Sequence, residues 1–235
     1  MTWQTWQTAS LVALRAQREA PSALAQASRL THAKGHSSGA DCLGVLFGVG
    51  KMKVLIACEF SGVVRDAFRR KGVDAVSCDL LETESTGPHH RGCVLDLIQS
   101  ESFDLMVAFP PCTHLSRSGA RWWPEKRKDG SQQRAIKFVF DLWNSGIKKV
   151  AIENPVGILS TVFKKPSQII EPWQFGHGET KKTCLWLKGL PPLMATKIVD
   201  GRSDRLYKLP QTADRWKKRS VTYRGIAEAM AQQWL

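Results

Sequence analysis

The chain has 235 residues, 43% hydrophobic and 23% charged, the balance of an ordinary soluble protein long enough for a full core. Its net charge of +13 is not ordinary, and such an excess of Lys and Arg makes nucleic acid the first partner to expect. The six cysteines (Cys42, Cys58, Cys78, Cys93, Cys112 and Cys184) contain no C-x-x-C pair, which excludes the usual zinc knuckle and dithiol redox site. No apolar run reaches the roughly 20 residues of a membrane-crossing helix. With no clear signal peptide, free thiols in a reducing cytoplasm are the expectation.

Residues 1 to 51 are rich in Ala, Ser, Gln and Thr and carry two W-Q-T repeats, at Trp3 and Trp6. They read as a disordered extension or a start assigned too early, because a strand-like run follows Met52 at once. Residues 52–235 then read as one domain. Val54 to Cys58 predicts a first strand, Glu59-Phe60-Ser61-Gly62 a turn, and Val63, Val64, Ala67 and Phe68 a helix ended by Gly72. Ala75 to Cys78 predicts a second strand ending in Asp79. A short edge element is expected around Val94 and a small helix from Leu97-Ile98. Asp104 to Phe109 reads as a strand, Arg134 to Asn144 as a helix and Lys149 to Ile152 as a strand. This alternation predicts an α/β fold with a mostly parallel sheet and helices on both faces. Residues 165–220 read as irregular, with basic and aromatic residues interleaved (Trp173, His177, Lys181, Lys182, Trp186) as for stacking bases and holding phosphates. The stretch from Arg202 to Arg219 is strongly basic, and a closing helix is predicted from Gly225 to Trp234.

In a parallel sheet, ligands bind beyond the carboxyl ends of the strands, where Glu59, Asp79, Cys112 and Glu153 are expected. The turn Glu59, Phe60, Ser61, Gly62 brings amides close to a ligand. Asp79 reads either as a helix N-cap or as the acid that holds ribose hydroxyls, which together with the turn would suit an adenosine-containing cofactor. Cys112 is either a buried structural thiol or a nucleophile. Pro110-Pro111 directs it to the mouth of a cleft, and Arg117 and Arg121 would favour its thiolate. Glu153, held by Asn154-Pro155, is either a surface acid or a partly desolvated carboxyl able to hold a proton near neutral pH.

Pro110-Pro111-Cys112-x-x-Leu115-Ser116-x-x-Gly119 resembles the catalytic P-C-Q-x-F-S-x-x-G loop of the DNA (cytosine-5)-methyltransferases. Glu153-Asn154-Pro155 is similar to their E-N-V motif. Glu59 to Gly62 stands where the family has its cofactor turn, Asp79 at the acid after the second strand, and Ser220 to Trp234 at the last motif. The order is the family's from Met52 to Leu235, and the chain resembles the small phage and prophage members more closely, sharing the run Gln174 to Lys181 through Trp186-Leu187.

The resemblance implies a Rossmann-like methyltransferase fold, with S-adenosylmethionine held by Glu59, Phe60, Ser61, Gly62, Asp79 and Pro110. It implies DNA held by Ser116, Arg117, Arg121, Lys181, Lys182 and Thr183. Cys112 would add to C6 of cytosine while Glu153 engages N3, and C5 would take the methyl group from a base flipped out or unpaired. The chain departs from the pattern at Thr113 (for Gln) and at Cys93, which stands for an aspartate near the adenine, with Asp96 as the substitute. It lacks Q-x-R-x-R, whose role falls to Lys181, Lys182 and Thr183, and leaves little room for a separate recognition domain. C5 methylation of RNA or a free cytosine nucleotide remains an alternative, as does a non-catalytic nucleic-acid-binding relative. A bacterial or phage-infected cytoplasm is the implied setting.

Overall fold

The computed structural model describes residues 51–235; the N-terminal extension read from the sequence lies outside the described residues. In chain order the elements begin with β1 (Lys53–Ala57), α1 (Val63–Arg70), β2 (Asp74–Asp79), β3 (His89–Arg91), α2 (Val94–Ser100) and β4 (Leu105–Ala108). A 3-10 helix (Arg117–Trp122), α3 (Trp123–Lys128), α4 (Ser131–Trp143), β5 (Lys149–Pro155) and α5 (Leu159–Val162) follow. The last third holds β6 (Gln168–Ile170), a 3-10 turn (Pro172–Gln174), β7 (Thr183–Lys188), α6 (Arg205–Lys208), α7 (Arg215–Ser220) and α8 (Arg224–Gln233).

The seven strands form one sheet in the order β3-β2-β1-β4-β5-β7-β6, parallel except for β7, which runs antiparallel to both neighbours. This is the Rossmann-like α/β arrangement expected. The strand order turns back on itself between β1 and β4, which opens a crevice at their carboxyl ends. Alternation along the strands sorts side chains onto two faces. Val54, Ile56, Leu105, Val107, Ala151 and Leu185 pack with Val64 and Phe68 of α1 and with Ile226 and Met230 of α8. Leu55, Ala57, Met106, Ala108, Val150, Ile152 and Trp186 pack with Val94 and Leu97 of α2 and Val139 and Leu142 of α4.

Helix ends follow local chemistry. Gly72, at φ 79°, takes the left-handed position past α1, whose last turn carries Arg69 and Arg70 against the helix dipole. Two expectations fail. The edge strand is His89–Arg91, while Val94 opens α2, because pairing ends when the Gly92 amide bonds to the Asp79 carbonyl at 3.0 Å. Residues 165–220 are not irregular throughout, since β7 is inserted between β5 and β6 and is buried over Thr183 to Trp186. Among the described residues no helix is long and apolar enough to cross a membrane.

Candidate active site

The turn after β1 is strained and tightly bonded. Cys58 holds a φ of 58°, a left-handed conformation that costs a non-glycine residue roughly 1–2 kcal/mol. The buried Glu59 carboxylate accepts the Val64 amide at 2.7 Å, the Arg65 amide at 3.2 Å and the Ser61 hydroxyl at 3.1 Å. Glu59 therefore caps the start of α1, while burial still pushes its pKa up against those bonds. Phe60 is buried beneath Trp216 of α7, with ring centroids 5.8 Å apart. Gly62 is required by space, since a Cβ there would meet the Ser85 hydroxyl at 2.1 Å.

Asp79 ends β2 half-buried, and one carboxylate oxygen accepts the Leu81 amide at 2.9 Å. Burial raises its pKa, opposed by that amide, by His89 and by the Leu80 amide. The loop behind it is organised by Arg65, a fully buried cation that sequence reasoning missed because it sits inside an amphipathic helix among apolar neighbours. Its guanidinium donates to Asp66 (2.8 Å), Ser77 (3.1 Å), Thr83 (3.2 Å), and the carbonyls of Ser85 and Thr86 (both 3.2 Å). The Ser77 hydroxyl also meets His89 Nδ1 at 2.9 Å, and His89 Nε2 donates to the Leu81 carbonyl at 2.9 Å, which fixes the ring tautomer. Cys93 is the N-cap of α2 with no side-chain capping bond, and Asp96 is exposed in its first turn.

Cys112 follows the end of β4, and Glu153 stands near the carboxyl end of the adjacent parallel strand β5. Cys112 is solvent-exposed as a residue, yet its thiol lies among enough protein for burial to be the largest cause raising its pKa. The second cause is the nearby Glu153 carboxylate; Lys181 and Arg219 pull the other way. This corrects the sequence expectation that Arg117 and Arg121 would favour the thiolate. The Arg117 amide bonds to the Val156 carbonyl at 2.9 Å, and the Arg121 guanidinium lies over the Trp122 ring at 5.0 Å. Ser116 caps the 3-10 helix, accepting the Ser118 amide at 3.3 Å.

Glu153 is half-buried, and burial raises its pKa, opposed by Lys181 and by the Thr183 hydroxyl. The register explains the Thr183 contact: Glu153 pairs with Leu185, so Thr183 is its same-face diagonal neighbour on β7. Thr183 is buried there, its single hydroxyl proton shared between the Glu153 carboxylate and the Lys181 carbonyl at 3.0 Å, whereas Lys182 is exposed. Lys181 donates to the Arg219 carbonyl at 3.0 Å. Glu153, Lys181 and Thr183 line a narrow cleft together with Phe109 and with Thr222, Tyr223, Ile226 and Met230 around the start of α8.

The run from Gln174 to Lys181 braces this cleft. His177 Nε2 accepts the Gly225 amide at 3.0 Å at the start of α8, and Glu179 takes Arg205 at 2.5 Å and the Tyr223 hydroxyl. Trp186, read from the sequence as a base-stacking residue, is instead fully buried, its indole donating to the Lys164 carbonyl at 2.8 Å. Trp173 lies under the Arg202 guanidinium at 3.9 Å.

No family model matches the sequence, and no curated protein matches it. Among solved structures the chain is similar to a methyltransferase of Entamoeba histolytica at 16% identity and a TM-score of 0.43. The match covers 64% of this chain and 58% of that one, so the chain spans less than two thirds of its neighbour's length. A likeness of that degree leaves the chemistry to be argued from the residues.

Proposed function

We propose that this chain transfers the methyl group of S-adenosylmethionine to C5 of cytosine in DNA. The observation that carries the reading is the convergence of a nucleophile, an acid and a cation: Cys112 follows β4, Glu153 stands on the adjacent strand β5, Lys181 lines the same cleft as Glu153, and both of those charges act on the thiol. A cytosine ring is inert at C5 until a nucleophile adds at C6, and N3 must take a proton or a hydrogen bond as it does so. Glu153 suits the second task because burial favours its protonated form. Lys181 and Arg219 suit the first, because positive charge lowers the cost of a thiolate at Cys112.

Two observations support a cofactor at the crevice. Asp79 presents a carboxylate with one oxygen engaged by the Leu81 amide, as a ribose-binding acid would, and the cleft beside Phe109 opens where β4 meets the start of α8. S-adenosylmethionine bound there supplies an electrophilic methyl group. The Cys112 thiolate would form a bond to C6 as Glu153 gives its proton to N3, and the electron pair this places at C5 would take the methyl carbon as its bond to the cofactor's sulfonium sulfur breaks, leaving S-adenosylhomocysteine. Loss of the C5 proton to solvent would then let the C5–C6 double bond reform as the C6–sulfur bond breaks, releasing the Cys112 thiolate and returning the N3 proton to Glu153. The net charge of +13 holds the phosphates, so binding should weaken steeply with salt.

Incubation with tritium-labelled S-adenosylmethionine and cytosine-containing DNA, beside Cys112→Ala, tests the reading. Label should pass to DNA with the native chain alone, and DNA carrying 5-fluorocytosine should trap a covalent adduct. Transfer that survives Cys112→Ala sinks the covalent route, and label found only on RNA or dCMP replaces the substrate.

A further inference from the structure

The basic residues of this chain are not equally available. In the 202–219 stretch, Arg205 pairs with Glu179 at 2.5 Å, Lys208 with Asp204 at 2.8 Å, Lys217 with Glu84 at 2.8 Å and Lys218 with Asp214 at 2.7 Å, while Arg202 and Arg215 spend their guanidinium groups on backbone carbonyls and Arg219 forms no ion pair among the described residues. Residues 117–128 differ. Among the described residues, none of Arg117, Arg121, Arg127 and Lys128 forms an ion pair. All four are exposed, and they flank Trp122, which is itself 51% exposed. Uncompensated cations around an exposed indole match a polyanion that also offers flat aromatic rings.

The segment is fixed to the Cys112 loop. The Lys126 ammonium, one helical turn beyond Trp122, donates to the Thr113 carbonyl at 2.6 Å, next to Cys112. The Ser116 amide closes a turn onto the Cys112 carbonyl at 2.9 Å, and the Arg117 amide is held by Val156 at 2.9 Å. The path from Arg117 to Trp122 is a 3-10 helix rising roughly 2 Å per residue, so the indole stays within a few nucleotides of the thiol.

We propose that Trp122, backed by Arg121, is a stacking platform for an unpaired base flanking the target, so that the chain prefers single-stranded DNA to duplex. Arg121 lies over the ring at 5.0 Å and adds its charge to the platform. A duplex hides the faces of its bases, whereas a single strand offers one at every nucleotide, and charge alone cannot tell the two apart. That the platform serves a base beside the target rests on the methyl-transfer reading; the stacking does not.

Fluorescence anisotropy of a labelled twelve-nucleotide strand tests the proposal without cofactor or turnover. The same strand as a duplex and a strand of equal length with abasic sites throughout serve as probes, all at one salt concentration. Trp122→Ala should weaken binding of the single strand by ~5- to 150-fold, the range for loss of one base–aromatic stack. Trp122→Phe should restore most of it, and the abasic strand should bind all three chains alike. Equal losses on the abasic strand, no loss on the intact strand, or a larger loss on the duplex would overturn the proposal. Methyl transfer by the native chain is scored separately, so failure of one reading leaves the other standing.

Discussion

The side-chain amide of Asn154 donates to the carbonyl of Pro110 at 2.8 Å, a contact between residues 44 apart in sequence. It joins the turn that ends β4 to the strand end that carries Glu153, and it does so in the interior, since Asn154 is 1% exposed. This bond is one of several that set Cys112 relative to Glu153, beside the β4–β5 ladder and the backbone bonds of Leu115 to Ile158 and of Arg117 to Val156. Asn154→Ala leaves the Pro110 carbonyl without its donor, at a cost of ~1–3 kcal/mol in unfolding free energy. Urea titration measures that loss. Methyl transfer should fall further, by up to ~100-fold, because small misplacements of reacting groups carry such penalties. Transfer that drops no more than stability explains would refute the positioning role.

The Cys112 thiol is raised by burial and then by Glu153, and lowered by Lys181 and Arg219. Removing the carboxylate charge should therefore lower the thiol's pKa, and removing the lysine charge should raise it. Alkylation of Cys112 by iodoacetamide, followed by mass spectrometry across a pH series, reads this directly. In Glu153→Gln the midpoint should move to lower pH, and in Lys181→Met to higher pH. Mass spectrometry scores Cys112 apart from the other five cysteines, of which burial pushes Cys78 up to about 12 and Cys184 up to about 11. Identical midpoints in all three chains would separate the thiol from the acid.

Glu153 also links activity to stability. Its folded pKa is raised above the ordinary 4.5, so folding favours the protonated carboxyl. Below pH 4.5 the group is protonated in both states and costs nothing; above its folded pKa it is ionised in both and destabilises the fold in full. Glu153→Gln should thus raise Tm at pH 8, by roughly 2–4 °C for each kcal/mol regained. The difference from the native chain should shrink as pH falls and vanish in acid. A Tm difference that is constant with pH would assign the effect to packing.

Much of the framework was legible because strands buried on both faces leave unbroken apolar runs. Leu105 to Ala108 and Val150 to Ile152 are such runs; Cys112 follows the first after Phe109-Pro110-Pro111, and Glu153 follows the second at once. β7 was not legible, because Lys181 and Lys182 precede it and Trp186 within it has the composition of a binding segment. Only the antiparallel insertion between β5 and β6, a long-range event, buries that indole. Charge was misread for the same reason. Sequence adjacency put Arg117 and Arg121 beside Cys112, but the cations that act on the thiol are Lys181 and Arg219, brought from the far side of β5 by the fold.

Arg65 is the buried centre of the loop that shapes the Asp79 turn, with its guanidinium spent on five residues of α1, β2 and the segment from Thr83 to Thr86. Arg65→Met strands Asp66 and the loop carbonyls without their donor, and should cost ~3–5 kcal/mol. Arg65→Lys keeps the charge but loses the planar fork, so it should recover less than half of that. S-adenosylmethionine affinity by calorimetry should fall in both. A chain with Lys at this position that is as stable as the native one would show the fork to be unnecessary.

Gly157 controls the Cys112 loop from behind. A Cβ there would stand 2.0 Å from the Leu115 carbonyl oxygen and 3.0 Å from the Ser116 Cα, all backbone atoms that cannot swing aside. The same two segments are tied by the Ile158 amide to Leu115 and the Arg117 amide to Val156, both at 2.9 Å. Gly157→Ala must push the loop off the strand end, costing ~1–3 kcal/mol and moving Cys112 with it. Gly146→Ala is the control: it carries a strained φ of 83°, yet its Cβ would meet nothing within 4 Å. It should lose a comparable ~1–2 kcal/mol without touching the loop. If loop position governs the chemistry, Gly157→Ala loses transfer by up to ~100-fold while Gly146→Ala at equal stability keeps it. Parallel losses in the two variants would assign the effect to stability alone.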